Sequence, residues 1–164
     1  ILSFTGHTMS TTLHGKSPWA DLSAVAGLSA GAPAAYMTGG GSCSGAVVLW
    51  LLVSLFFGGS VVYVHMKIRS VTQLGGGATF LRNARFGWMT ILYQVVVLLV
   101  AAWIGAAERS GNLVLLAYVP ITLHAVLGTV RMTGPVRFKR LGFLLLGQSI
   151  LFTVLMAAAY RGAV

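Results

Sequence analysis

Apolar runs separated by short polar, basic or glycine-rich interruptions recur five times along the chain, over 20–39, 46–66, 86–107, 113–130 and 141–160. Each is close to the roughly 20 residues that a helix needs to cross about 30 Å of hydrocarbon. The pattern predicts an all-α fold, a polytopic membrane bundle of about five transmembrane helices forming one domain over 20–164. Residues 1–19 mix Thr, Ser, Gly and His without a sustained period and read as a polar N-terminal arm or loop. That arm lacks the continuous apolar core of a secretory signal. Because Ile1 is not a start methionine, the chain is expected to lack part of its native N-terminus.

The five segments differ in kind. The first is mostly Ala, Gly and Ser, and Ser23, Gly27 and Gly31 repeat at four-residue spacing. A helix with such a face gains little from lipid by itself and is expected to pack closely on other helices, with a kink at Pro33. The second is strongly apolar, but Gly58, Gly59 and Ser60 interrupt it and mark a close helix contact, a kink, or backbone approached by a ligand. Residues 70–85 read as a polar loop, and its Gly75, Gly76 and Gly77 form a turn without the lysine and hydroxyl of a phosphate loop. The fourth segment contains Pro120 and His124. Trp19, Trp50, Trp88 and Tyr160 fall near segment ends, as an aromatic belt requires.

Composition fixes the solvent and narrows the chemistry. Among 164 residues 57% are hydrophobic and 8% charged, against roughly a quarter charged in a soluble domain. Asp21 and Glu108 are the only acids, expected at opposite membrane faces, so paired-carboxylate catalysis and acidic Mg²⁺ sites lack their residues. The net charge of +9 comes from short clusters between apolar runs, which suits anionic lipid headgroups and gives no basic, aromatic-interleaved face for nucleic acid. Cys43, the only cysteine, excludes an internal disulfide and reads as a small residue near a helix start.

Cations also orient the chain. Lys67, Arg69, Arg82 and Arg85 follow the second segment, and Arg131, Arg137, Lys139 and Arg140 follow the fourth, whereas the turn after the third carries Arg109 alone. By the positive-inside rule the stretches 67–85 and 131–140 are cytoplasmic, in a multi-pass protein of the inner membrane. Lys67, Arg69, Arg137, Lys139 and Arg140 are the candidate lipid-headgroup residues, the last three at a helix entrance whose free N–H groups also favour anions.

His65 and His124 are the candidate cofactor ligands, since imidazole on a membrane helix can take haem iron or chlorophyll magnesium. Their depths differ by roughly 7 Å at 1.5 Å per residue, which is awkward for one flat macrocycle. The preferred reading makes His65 interfacial and has His124 bonded to a carbonyl or hydroxyl of a neighbouring helix. Gln94 and Gln148 are expected to bond across helices, and Ser54, Ser149 and Thr153 to satisfy themselves one turn back. His7 and His14 in the arm have no acid or cysteine beside them. No catalytic and no metal-ligating set is assigned.

The strings SVVYVHMKIR (Ser60 to Arg69) and AYVPITLH (Ala117 to His124), with KRLG from Lys139 to Gly142, resemble the C-terminal half of the YwiC-like family of bacterial integral membrane proteins, over Asp21 to Tyr160. That family is similar in helix order to UbiA-type prenyltransferases. The resemblance implies further N-terminal spans and a Lys-Glu-His-Gly type segment, which this chain does not contain. The paired aspartate motifs that hold Mg²⁺-diphosphate in UbiA-type enzymes are also missing. The sequence therefore leads to a noncatalytic structural or accessory subunit of a membrane complex, partnered by lipid and other membrane subunits. A tetrapyrrole-binding subunit of an electron-transfer or photosynthetic complex is the first alternative, and a fragment of a UbiA-like lipid-modifying enzyme the second.

Overall fold

Helices account for nearly all of the residues that the computed structural model describes, which are 18–73, 79–107, 111–131 and 138–161. They are α1 (Pro18–Leu28), α2 (Gly31–Thr38), α3 (Cys43–Gln73), α4 (Phe80–Phe86), α5 (Trp88–Ala107), α6 (Gly111–Val130) and α7 (Phe138–Tyr160). The fold is an all-α bundle. Among the described residues four helices, α3, α5, α6 and α7, are long and apolar enough to cross a membrane.

The first expected segment, 20–39, is not one helix but two, α1 and α2. Pro33 lacks an N–H, and its ring clashes with the carbonyl four residues earlier, that of Ser29. The helix accordingly breaks there: Ser29 still donates to Val25, but Ala30 donates to Gly27 and Ala32 to Ser29, three residues back. The break leaves the Ala26 carbonyl without its normal i+4 donor, and the Trp50 indole of α3 supplies one at 2.9 Å. Trp50, expected at a membrane interface, thus sits two turns inside α3 with its N–H committed to α1.

The α1–α2 pair runs antiparallel to α3 over a turn at residues 39–42. Gly40 takes a φ of 91°, open to glycine at little cost. At Gly41 and Gly45 the ring of Tyr36 occupies the space a side chain would need. Ser42 caps α3 by accepting from Gly45 N–H at 3.1 Å, and Cys43 is its exposed first residue. With 31 residues α3 is about 46 Å long, longer than the hydrocarbon it must cross. The expected loop over 70–85 is shortened accordingly, since α3 continues to Gln73 and α4 starts at Phe80.

Close approach of α5 to α3 uses the small residues 58–60, which form a helix contact and no break. A side chain at Gly58 would meet the Tyr93 hydroxyl at 2.5 Å, and one at Gly59 would meet Gln94 and Tyr93 at 3.2 Å. The uncovered backbone lets Tyr93 donate to the Leu55 carbonyl at 3.0 Å, while Tyr118 of α6 donates to Leu52 one turn earlier at 2.5 Å. The core beside them is aromatic. Phe56 stacks on Phe152 of α7 at 3.9 Å, and Tyr118 meets Phe152 edge to face at 5.4 Å. In lipid such packing and hydrogen bonds replace the hydrophobic effect as the force between helices.

Alternation of helix direction gathers the described cations Lys67, Arg69, Arg82, Arg85, Arg131, Lys139 and Arg140 at one end of the bundle, here termed the cationic end. Arg161 lies at the other, just past α7.

Candidate functional site

The candidate residues converge on the cationic end, where the last turns of α3 and α6 lie side by side. Along a helix Tyr63 and Lys67 share a face at i, i+4, and His65 lies about 200° round from either. The structure follows this geometry. Tyr63 and Lys67 face α6, and His65 faces α1.

His65 bonds through Nε2 to Asp21 Oδ2 at 2.9 Å, with both side chains about 35% exposed. A carboxylate only accepts, so the imidazole N–H donates. At that exposure the pair contributes modestly to stability, but it pins the first turn of α1 to α3. Sequence reasoning missed this pair. The available signal was depth: Asp21 opens the first segment at the same side on which His65 closes the second.

On the opposite face of α3, Lys67 donates to the Gly128 carbonyl at 2.6 Å, with its ammonium 5.7 Å from the centre of the Tyr63 ring. Gly128 lies two residues from the end of α6, where carbonyls lack helical donors and the dipole favours a cation. Asn83 of α4 closes the same helix end, donating from Nδ2 to Val130 at 3.1 Å. Gly128 is required there, because a Cβ would collide with the Tyr63 hydroxyl. Lys67, expected at lipid headgroups, is therefore half-buried and bonded within the bundle. Arg69, Lys139 and Arg140 are exposed on that end, and Arg137 lies outside the described residues.

His124 sits against Tyr63, ring centroids 5.3 Å apart and planes at 71°. Its Nε2 is buried without a hydrogen-bond partner, which corrects the expected bond to a neighbouring helix. Asn83 Oδ1 is likewise buried and unbonded. His65 and His124 lie on different sides of α3 and are not brought together into a two-histidine site. His7 and His14 lie outside the described residues.

Other polar groups in the bundle are spent on structure. Thr122 donates to Gln94 Oε1 at 3.2 Å across α5 and α6, and Gln148 of α7 donates to the Pro120 carbonyl at 3.3 Å. Ser149 and Thr153 bond to backbone carbonyls of their own helix, but Ser54, expected to do the same, has a buried Oγ with no partner.

Two residues of the small-residue face of the first segment, Gly27 and Gly31, make no close helix contact among the described residues. Gly27 and Gly31 are exposed, and a Cβ at either would meet nothing within 4 Å. The close packing expected of them is not seen among the described residues. Leu22 faces inward instead, with its Cδ2 3.5 Å from the position a Gly58 side chain would take. Comparison of the chain with protein-family models, curated proteins and solved structures finds no match.

Proposed function

We propose that this chain is a noncatalytic integral membrane protein serving as a structural or accessory subunit of a membrane complex. In this reading it lies in a bacterial inner membrane with its cationic end in the cytoplasm, as the positive-inside rule requires. Kinship with the YwiC-like family belongs to the same proposal and rests on the short strings quoted above.

The observation that carries the reading is how unevenly the helices are covered. Only 11% of the most apolar stretch of α7 is buried within the chain, against 39% for α3. The uncovered surface includes Phe143, Leu146, Ile150 and Val154, each more than half exposed. Gly27, Gly31, Gly142 and Gly147 also have open space where a second helix could approach. Small residues at such positions let backbones come close, which is how membrane helices associate. The polar side chains, in contrast, bond from helix to helix or back to their own helix.

Purification in mild detergent tests the proposal. The parent should carry other membrane subunits with it. Gly27→Leu should lose them while melting like the parent, whereas Leu22→Ala should lower the melting temperature and keep them. A parent that purifies alone, with Gly27→Leu indistinguishable from it, would remove the subunit reading.

One observation favours a second reading, a tetrapyrrole-binding subunit: the unbonded Nε2 of His124 is the atom that haem iron or chlorophyll magnesium would take. Under the first reading the purified protein is colourless. A stoichiometric Soret or chlorophyll band that disappears in His124→Ala would put the second reading first.

A further inference from the structure

Between α1–α2, one face of α3 and the last turns of α7 lies a cavity of about 830 Å³, within the ~300–1,000 Å³ of small-molecule sites. Val25, Leu28, Val53, Phe57, Phe152 and Met156 form its walls. Of its four hydroxyl-bearing residues, Ser29 donates to the Val25 carbonyl at 2.7 Å and Thr153 to that of Ser149 at 2.8 Å, while Tyr36 and Tyr160 stand together at one end. Along α3 the lining runs from Leu49 to Val61, a length of about 18 Å.

The mouth has a different character. Tyr36 and Tyr160 meet there edge to face at 5.6 Å, and the exposed Arg161 stands beside them. Asp21, the one acid among the described residues, is held by His65, sixteen residues and about 24 Å along α3 from Leu49. Asp21 therefore does not reach Arg161, and Glu108 lies outside the described residues.

We propose that this groove is a phospholipid site, in which an acyl chain lies along α3 and an anionic headgroup phosphate meets the Arg161 guanidinium. Two observations select this occupant. The walls are mainly apolar, so they suit a hydrocarbon chain. The cation stands at the end of the bundle, where a headgroup lies when its chain enters the membrane beside α7, and guanidinium matches phosphate in a bidentate way. The site is separate from the headgroup residues read from the sequence, which lie at the opposite end, and it does not depend on the subunit reading.

Native mass spectrometry of the purified protein tests this, after exchange into equimolar dioleoyl phosphatidylglycerol and dioleoyl phosphatidylcholine. The parent should retain one phosphatidylglycerol, at least fivefold over phosphatidylcholine. Arg161→Gln should erase that preference without changing the melting temperature, and Lys139→Gln, at the far end, should keep it. Ala157→Trp, which places a large ring in the groove from an exposed position, should lower retention of both lipids at least fivefold. Should Ala157→Trp not fold, the Arg161→Gln comparison decides alone. Equal retention of the two lipids by the parent, a preference that survives Arg161→Gln, or a dimer that Ala157→Trp splits with lipid retention intact would each overturn the proposal.

Discussion

The two ends of the bundle are held together by different physics. Toward the Arg161 end the helices meet through an aromatic core, Phe56 on Phe152 with Tyr118 at their edge, and through tyrosine hydroxyls donated to carbonyls that small residues leave uncovered. At the cationic end, Lys67 and Asn83 close the last turn of α6, His65 holds Asp21, and His124 Nε2 and Asn83 Oδ1 are buried without partners. One end is determined by shape. The other is determined by backbone ends that need donors, as befits a region where helices leave hydrocarbon and their terminal carbonyls require satisfaction.

If that contrast is correct, substitutions should cost more in the aromatic half. Gly58→Leu should be the most damaging, because it displaces the Tyr93 hydroxyl from the Leu55 carbonyl and overpacks the α3–α5 contact, at about 3 kcal/mol. Thermal unfolding in detergent reads it. Phe152→Ala should follow at about 2 kcal/mol, since in lipid the cavity term of a truncation persists while the water-transfer term is largely lost. At the cationic end, Lys67→Met should lose about 1 kcal/mol, the net worth of one hydrogen bond. Lys67→Arg should recover part of that. His124→Gln should change stability by no more than about 0.6 kcal/mol, the average of measured transmembrane hydrogen bonds, because its Nε2 supports no bond to lose. A loss at Lys67 larger than at Phe152 would invert the comparison.

How far the sequence anticipates these two ends depends on what each rests upon. The boundaries of α5, α6 and α7 follow from uninterrupted apolar runs of bilayer length, and each lies within three residues of expectation. The closeness of α3 and α5 at Gly58 and Gly59 also follows from residue size alone. The break in the first segment is foreshadowed by Pro33, but its position is set by the carbonyl four residues earlier. The Lys67 bond to Gly128 is not legible locally, because a basic residue at a helix end can reach for headgroups or for a neighbouring carbonyl, and helix rotation decides which. The Asp21–His65 pair likewise requires α1 to lie against α3, which no local pattern states. Of the small-residue stripe, spacing gives the face but not the direction in which it points.

The central claim is that this bundle lies across a membrane with its two ends on opposite sides, and labelling by a membrane-impermeant maleimide tests it most directly. Cys43, exposed at the start of α3, is a native reporter for the Arg161 end. Gly134→Cys in a Cys43→Ser background reports on the other end without removing a cation. In intact cells Cys43 should react, and Gly134→Cys should react only after permeabilisation. Reaction at both positions in intact cells, or at Gly134→Cys alone, would contradict the account.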